Sequence, residues 1–272
     1  MRLVRLEALS VPGGFDNHDA FGISPGMMWV IDGATALSPT GEDELDRFVA
    51  DLNRGLRMRA LSKGPLADVL ADVAREMLPG YAGDREPWER PSASVAVVRV
   101  LGDRLEYLVL GDAVVAIRCG DGRMVVAEDK RVRPLDAKAV KEKLRFQREK
   151  GLTSPQARKA ITQLLREHRN MMNTPEGYWV FNADPEACYR AVTGAVENAR
   201  GARALLATDG FSRLVDVFKY ATWEALMGEL VFRSLADIVN MLRRLEVADQ
   251  ECLNFPRFAI YDDSTAIYFE CS

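Results

Sequence analysis

Residues 92–128 decide the fold, and they read SASVAVVRVLGDRLEYLVLGDAVVAIRCGDGRMVVAE. Four short apolar or alternating runs follow one another here, and a turn containing Gly and Asp separates each run from the next. Strand-length runs bounded by such turns are typical of β-hairpins, because Gly and Asp tolerate the backbone angles of tight turns. The pattern therefore predicts a meander of antiparallel strands.

The segments on either side of the meander predict further strands and several helices. Short apolar runs predict strands at 19–23, 27–33, 177–181, 203–208 and 263–270. Apolar residues at helical spacing predict helices at 42–79, with a break near Gly64–Pro65, and at 134–168 and 221–249. Several strands are apolar on both faces, which favours two sheets packed together with helices outside. The predicted class is α+β.

The composition is that of a folded, weakly acidic protein. Hydrophobic residues make up 48% of the 272 residues, and the formal net charge is −4, so non-specific nucleic-acid binding is not expected. No apolar run approaches the roughly 18 residues that span a bilayer, and the N-terminus does not resemble a signal peptide, so no membrane association is expected. The four cysteines are far apart, which favours a reduced, cytoplasmic protein.

The inventory of reactive side chains favours carboxylate chemistry. The chain has only two histidines, His18 and His168, so a histidine zinc site or a Ser-His-Asp triad would depend on one or both of them. Acidic residues number 40. Because carboxylate oxygens are the ligands that Mg²⁺ and Mn²⁺ prefer, a hard-metal site is the better expectation.

Three Asp-Gly pairs occur, in different contexts. Asp121–Gly122 lies between two strand-like runs and reads as a plain hairpin turn. Asp32 ends the apolar run MMWVI, and Asp209 follows ALLAT and precedes a helical pattern. An ionised carboxylate at the end of a core strand is costly unless it is paired or binds a metal. A turn or a helix cap remains an equal alternative for either residue alone.

Further acids draw attention only in combination. Asp262 and Asp263 precede the last strand, and taken alone they read as solvent-facing charge. Asp112 reads alone as a hairpin turn, and Asp19 as a polar residue that begins a strand. In antiparallel sheets the start of one strand lies beside the end of its neighbour, so Asp262 is placed to meet Asp32 or Asp209.

The order of these motifs resembles the metal-dependent protein phosphatases of the 2C type. The shared series begins at Asn17 with N-x-D-A and continues with a strand ending in Asp-Gly, the strand PSASVAVV and a strand–Gly-Asp–strand unit. LLATDG and D-D-x-T before a closing strand complete it. Each motif is weak alone, but the ordered set spans nearly the whole chain. The chain is identified as a divergent, bacterial-like member of this family.

The resemblance implies a four-layer αββα sandwich that forms one domain over residues 1–272. It also implies two Mn²⁺ or Mg²⁺ ions at one edge of the sandwich, with a third ion held more weakly. Asp32 matches the aspartate that bridges the metals, and Asp19 matches an acid that positions metal-bound water. The residues that match metal ligands are Asp32, Gly33 (through its carbonyl), Asp209, Asp262 and, for the weaker ion, Asp112.

The implied reaction is hydrolysis of phosphoserine or phosphothreonine in a phosphorylated protein partner. In such a two-metal site the metals lower the pKa of a water between them, and the resulting hydroxide attacks phosphorus. No protein nucleophile is needed, which agrees with the few histidines and the scattered cysteines.

Segment 129–176 fits the variable flap of bacterial members. GLTSPQARKAITQLLREHRN loosely matches the flap pattern, which would bring His168 and Arg169 near the substrate. A solvated amphipathic helix is the favoured interpretation of this stretch. The basic run at 130–150 is mixed with acids and predicts an exposed helical face.

The sequence departs from the family at the substrate-facing positions. Gly14 stands where the family has an Arg that clamps phosphate, and Arg169 or Arg213 are candidates to replace it. His18 stands where the family has Glu or Gln; it can bind metal, bond a metal water or point away, and pointing away is favoured. These changes leave a second hypothesis open, a catalytically weak or inactive phosphatase-like module that binds a partner. The sequence does not indicate an oligomeric state.

Overall fold

A computed structural model describes residues 2–37, 41–81 and 83–272. Within them, the strands are β1 (Leu3–Val11), β2 (Asp19–Ser24), β3 (Met27–Gly33), β4 (Ala93–Leu101), β5 (Arg104–Leu110), β6 (Val114–Arg118), β7 (Met124–Glu128), β8 (Val192–Val196), β9 (Arg203–Ala207) and β10 (Ser264–Cys271). The helices are α1 (Glu42–Met58), α2 (Leu66–Tyr81), α3 (Arg133–Lys150), α4 (Ser154–Ala160), α5 (Thr162–Arg169), α6 (Pro185–Cys188), α7 (Asp209–Asp216), α8 (Trp223–Glu229) and α9 (Leu235–Ala248).

The strands form two five-stranded sheets, and every strand pair in them is antiparallel. The first sheet has the order β1-β10-β9-β6-β7, and the second has the order β2-β3-β4-β5-β8. The meander predicted at 92–128 therefore forms, but it divides between the sheets. Strands β4 and β5 belong to the second sheet, whereas β6 and β7 belong to the first.

Alternation along β3 shows how the layers stack. Met28 and Val30 belong to the apolar core between the two sheets, whereas Trp29 and Ile31 pack toward Phe48 and the other residues of α1 and α2. All of these β3 side chains are fully buried, as expected for a sheet covered on both faces. On the far side, the first sheet packs on α7, α8 and α9. The predicted four-layer αββα sandwich of the α+β class is confirmed.

The sequence pattern does not predict two of the strands, β1 and β8. Strand β1 carries Arg5 and Glu7 among its apolar residues, so it does not alternate cleanly. Both charges are held in place, because Arg5 Nη1 donates to the Leu230 carbonyl at 2.6 Å and Glu7 Oε2 accepts from the Leu235 amide at 3.0 Å. Strand β8 is only five residues long and contains Gly194.

The strand predicted at 177–181 is wrong. This segment makes only isolated bridges, Met172 with Tyr178 and Ala93 with Phe181. The Asn173 side chain accepts the Val180 amide at 2.9 Å, and the Asn173 amide donates to the Tyr178 carbonyl at 2.7 Å. Side-chain and loop hydrogen bonds thus replace the ladder of a sheet.

The predicted flap segment contains α3, α4 and α5. Helix α3 ends at Gly151, whose φ of +63° is the left-handed conformation that terminates helices. Helix α4 then begins with a capping box in which Thr153 and Gln156 bond each other's backbone amides. In the part of the chain that the structure describes, no helix is long and apolar enough to cross a membrane.

Candidate active site

A cavity of about 680 Å³ lies where one end of the two sheets meets α3, α4 and α5. It gathers most of the residues that the sequence selects. The predicted site residues that line it are His18, Asp19, Asp32, Gly33, Asp112, Arg169, Asp209 and Asp262. Arg213 is not among the lining residues.

Sheet register brings the first two acids together. Asp19 on β2 is the direct partner of Asp32 on β3, and Asp32 is in turn the partner of Ser94 on β4. Direct partners in an antiparallel pair project from the same face, with Cβ atoms about 4.5–5.5 Å apart. By the period of two, Asp32 shares the face of Val30, which points toward the first sheet.

The first sheet supplies the groups that meet these two acids. The Thr208 hydroxyl, just after β9, donates to Asp19 Oδ2 at 2.9 Å. The next amide, that of Asp209, donates to Asp32 Oδ2 at 3.3 Å. Asp209 is the first residue of α7, where the positive end of the helix dipole stabilises negative charge. The two acids that follow buried strands, Asp32 and Asp209, therefore lie together across the gap between the sheets.

Two glycines allow this close approach. A Cβ atom on Gly33 would lie 2.5 Å from the His18 carbonyl oxygen, to which the Gly33 amide donates at 3.1 Å. A Cβ atom on Gly210 would lie 1.9 Å from the Asp263 carbonyl oxygen. Any side chain at either position would push the strand ends apart.

Asp112 lies on the turn between β5 and β6 and is held by Ser94. The Ser94 hydroxyl donates to Asp112 Oδ1 at 2.5 Å, and it accepts from the Asp112 amide at 3.2 Å. The Ser of the Ser-containing strand thus orients an acid of the cavity. Asp136 of α3, which sequence reasoning missed, also lines the cavity.

The adjacent acids before β10 have different surroundings. Both oxygens of Asp263 accept backbone amides at 2.7 Å, from Gly13 and from His18, so this residue fastens the loop that precedes β2. Asp262 lines the cavity, but its Oδ2 accepts from Arg213 Nη2. The His18 ring bonds Asp46 of α1 through Nδ1 at 2.7 Å.

Burial and the crowding of like charges raise the pKa values of these carboxyls. Burial, together with the charges of Asp263 and Asp262, raises the pKa of Asp19 to about 8. Burial raises the pKa of Asp32 well above its ordinary value, with the charges of Asp19 and Asp209 adding to the effect. The pKa of Asp209 is raised in the same way, by burial and then by Asp262 and Asp112, whereas the charge of Arg213 lowers it. Ionised carboxylates in this position need a compensating positive charge.

The donor set suits a hard divalent cation. It consists of carboxylate oxygens, which Mg²⁺ and Mn²⁺ prefer, and such a cation would offset the burial and the like-charge repulsion that raise these pKa values. Among the described residues, no three acidic, histidine or cysteine side chains already converge as a finished metal site. Asp32, Asp19 and Asp209 are the residues best placed to close around an ion, because no ion pair to a described residue engages them.

The opposite wall of the cavity is basic. Arg158 of α4 and Arg169 of α5 both line it. Burial lowers the pKa of Arg158, and the nearby charge of Arg169 lowers it further, whereas Asp262 raises it. Burial also lowers the pKa of Arg169, whose Nη1 donates to the Thr35 carbonyl at 2.9 Å. Neither guanidinium forms an ion pair with any residue that the structure describes.

This arrangement differs from the solvated helix favoured for residues 151–170. Arg169 faces the cavity, and His168 is 8% exposed, with no hydrogen-bond partner for either ring nitrogen among the described residues. The sequence pattern does not single out Arg158. A signal for it exists in retrospect, since SPQAR places an Arg one turn into a capped helix, but nothing in the sequence shows that this helix faces the acids. The basic run of α3 is largely exposed, as predicted.

Buried polar contacts hold the basic wall in place. Lys143 of α3 is 1% exposed, and its Nζ donates to Ser154 Oγ at 2.7 Å and to the Arg257 carbonyl at 3.0 Å. The Ser154 amide donates to Glu251 Oε2 at 2.7 Å. These bonds join α3 and α4 to the loop that follows α9, so Arg158 extends from a fixed helix.

The fold is that of known serine/threonine phosphatases. The Mycobacterium tuberculosis phosphatase PstP/Ppp matches over 100% of both chains, with a TM-score of 0.59 and 15% identity. The PstP catalytic domain in complex with two manganese ions matches over 98% of both chains, with a TM-score of 0.55 and 16% identity. PppA, a regulatory component of the type VI secretion system (T6SS) in Pseudomonas aeruginosa, covers 97% of this chain and 96% of its own, with a TM-score of 0.52 and 17% identity.

Sequence comparison adds nothing to this likeness, because no family model and no curated protein matches the chain. At such identities the similarity establishes the fold alone. The chain has the fold of the bacterial serine/threonine phosphatases of the 2C type.

Proposed function

We propose that the chain hydrolyses phosphoserine and phosphothreonine monoesters of phosphorylated proteins and requires Mn²⁺ or Mg²⁺. The observation that carries the proposal is one cavity that has carboxylates on its floor and basic side chains on its other wall, among them Arg158 and Arg169, neither of which pairs with an acid among the described residues. A phosphomonoester dianion is repelled by the floor and attracted by the wall. A cation at the floor would reconcile the two surfaces, so the electrostatics support a metal site beside the phosphate site.

Asp32, Asp209 and Asp19 would hold the metal, with Gly33 and Asp112 close to it. When bound, such a cation supplies an activated water and offsets charge on the phosphoryl oxygens. Thr208 keeps Asp19 oriented through a 2.9 Å hydrogen bond, and the Asp209 amide does the same for Asp32. The preorganised backbone at the end of β3 and the start of α7 fixes these acids before substrate arrives.

The substrate phosphate would bind between the floor and the basic wall. Guanidinium groups match phosphate oxygens in a planar, two-pronged geometry, and charge-assisted bonds of this type are strong. Arg158 and Arg169 would thus replace the clamp that Gly14 cannot provide. Arg213 is not proposed for this role, because its guanidinium bonds Asp262 and Glu246 instead.

A second function is a module that binds phosphorylated partners without turnover. The ion pair between Arg213 and Asp262 favours it, because a residue expected to bind metal is already neutralised by a protein cation. Under this function the basic wall would still recognise phosphate, but hydrolysis would be weak or absent.

Phosphate release from p-nitrophenyl phosphate and from a phosphothreonine peptide, with Mn²⁺ or Mg²⁺ added, separates these functions. Asp209→Asn should abolish turnover, because Asp209 belongs to the carboxylate floor. Asp121→Asn is a matched control, since Asp121 is an exposed Asp-Gly turn whose Oδ1 accepts only the Arg123 amide among its described contacts, at 2.9 Å. Folded wild-type protein that binds the phosphopeptide without releasing phosphate would favour the binding module.

A further inference from the structure

Arg213 lies beneath the carboxylate floor and is 5% exposed. Its Nη2 donates to Asp262 Oδ2, and its Nη1 donates to Glu246 Oε1 at 3.3 Å. A buried arginine is always charged, so it places a permanent positive charge beside one of the acids expected to bind metal.

A second arginine fixes this pairing. Glu246 is fully buried, and its other oxygen, Oε2, accepts from Arg243 Nη1 at 2.7 Å. Arg243 also donates through Nη2 to the Asp262 backbone carbonyl at 2.8 Å. The four groups balance, with two positive and two negative charges. Arg213 cannot swing away without leaving Glu246 partly unpaired in the interior, which is strongly unfavourable.

Both oxygens of the Asp262 carboxylate already accept a hydrogen bond. Oδ2 accepts from Arg213, and Oδ1 accepts from the Asp263 amide at 3.2 Å. A divalent cation coordinated by Asp262 would lie next to a guanidinium that cannot lose its proton. The cation and the Arg213 guanidinium would both lie beside the Asp262 carboxylate, so they would repel each other. Partial burial weakens the screening of this repulsion by water.

Asp19 and Asp32 present the opposite situation. Their partners are the Thr208 hydroxyl and the Asp209 amide, and no described residue forms an ion pair with either. Negative charge without a fixed counter-ion is concentrated on this side of the cavity, at the ends of β2 and β3.

We propose that Arg213 takes the electrostatic place of one metal ion, so that the chain binds a single divalent cation tightly. This cation binds on the Asp19–Asp32–Asp209 side, and Asp262 is not one of its ligands. The proposal rests on the metal site of the proposed function, but it concerns the number of ions and not turnover. It differs from the two-ion site that the family resemblance implies.

The number of tightly bound ions is measured by titrating metal-free protein with Mn²⁺. Calorimetry and the electron paramagnetic resonance signal of free Mn²⁺ both monitor the titration. Wild type should bind one ion, with any second ion about 100-fold weaker, as charge repulsion in a partly buried site predicts. Asp262→Asn should leave the tight ion nearly unaffected, whereas Asp209→Asn should weaken it by about tenfold or more, since it removes a charged ligand.

Replacing Arg213 should create the missing site. Arg213→Gln/Glu246→Gln removes one charge of each sign and frees Oδ2 of Asp262, so the second Mn²⁺ should bind about tenfold more tightly as the like charge is lost. Should this buried pair prevent folding, as circular dichroism would show, the wild-type and Asp262→Asn titrations still decide.

Two tight ions in wild type, no tight ion at all, or loss of the tight ion in Asp262→Asn would overturn the proposal. Phosphate release measured on the same samples keeps the two conclusions apart. One tight ion without turnover supports the role of Arg213 and rejects the phosphatase activity. Two tight ions with turnover reject the role of Arg213 and support the phosphatase activity.

Discussion

Asp19 and Asp32 are direct cross-strand partners on β2 and β3, and both project into the same partly desolvated space. Like charges in this relationship destabilise a sheet. The folded chain accommodates the pair because a carboxyl of the pair keeps its proton to a higher pH. Burial and the charges of Asp263 and Asp262 raise the pKa of Asp19 to about 8. Without metal, ionisation of these two carboxyls at the strand ends thus destabilises the fold.

The metal-free protein should become less stable as the pH rises, because of this pair. A carboxyl whose folded pKa is raised binds its proton more tightly in the folded state, so ionisation between the unfolded value near 4 and the folded value of about 8 disfavours folding. Asp32→Asn should therefore raise the free energy of unfolding at pH 8 by about 1–2 kcal/mol, or the melting temperature by roughly 2–6 °C.

Thermal unfolding with a metal chelator at pH 5 and pH 8 measures this effect. The gain should shrink at pH 5, where the carboxyls are largely protonated already. Asp121→Asn, in an exposed turn, is the control and should change stability by less than about 0.5 kcal/mol at both pH values. An equal effect of Asp32→Asn at both pH values would show that packing and not charge is responsible.

Loss of the Arg158 guanidinium should weaken phosphate binding. Arg158→Gln removes one of the cations that line the cavity with the acids, and a charge-assisted hydrogen bond contributes about 1.5–3 kcal/mol. KM for a phosphopeptide should rise about tenfold or more, and inhibition by inorganic phosphate should weaken in parallel. Arg145→Gln is the control, because Arg145 lies exposed on α3 and pairs with Glu142 and Glu149. Equal effects of the two substitutions would mean that Arg158 acts only through general charge.

An arginine restored at position 14 should strengthen substrate binding. Gly14 is exposed, its φ is not positive, and a Cβ atom there would meet nothing within 4 Å. Gly14→Arg should fold normally and lower KM for a phosphopeptide by about tenfold, the value of one added charge-assisted contact to phosphate. Gly64→Arg is a matched control, since a Cβ atom there also meets nothing within 4 Å, in a connection far along the chain from the site. An unchanged KM would mean that the loop before β2 does not reach the phosphate.

The sequence predicts the acids of the site better than its bases. Asp32 and Asp209 can be found because each follows a run of buried apolar residues, and strand ends in one sandwich edge must meet. Arg158 escapes because its function depends on which way a short, charged helix faces, and no local pattern encodes that. The fixing contact, from Lys143 to Ser154, joins two segments that each read as exposed helix.

The partners of Arg213 also depend on tertiary packing, so no local sequence pattern predicts them. Arg213 is a sequence candidate to replace the clamp missing at Gly14, yet its partners lie 33 residues away on α9 and 49 residues away before β10. Only the packing of α7 against α9 shows that both terminal nitrogens of the Arg213 guanidinium already donate hydrogen bonds. Strand order and apolar spacing can be read locally, whereas the partner of a buried charge cannot.

Breaking the buried contact of Lys143 should loosen the basic wall without touching the carboxylate floor. Lys143→Met keeps the apolar stem but leaves Ser154 Oγ and the Arg257 carbonyl without their donor, at 2.7 and 3.0 Å. Amide hydrogen exchange in α4 and α5 should become about tenfold faster, since one lost hydrogen bond contributes about 1–1.5 kcal/mol to local stability. KM for a phosphopeptide should rise while the affinity for Mn²⁺ stays constant, because Arg158 moves and Asp32 does not. Lys141→Met, at an exposed position of the same helix, should change neither quantity. Faster exchange throughout β2 and β3 would instead mean that Lys143 supports the whole fold.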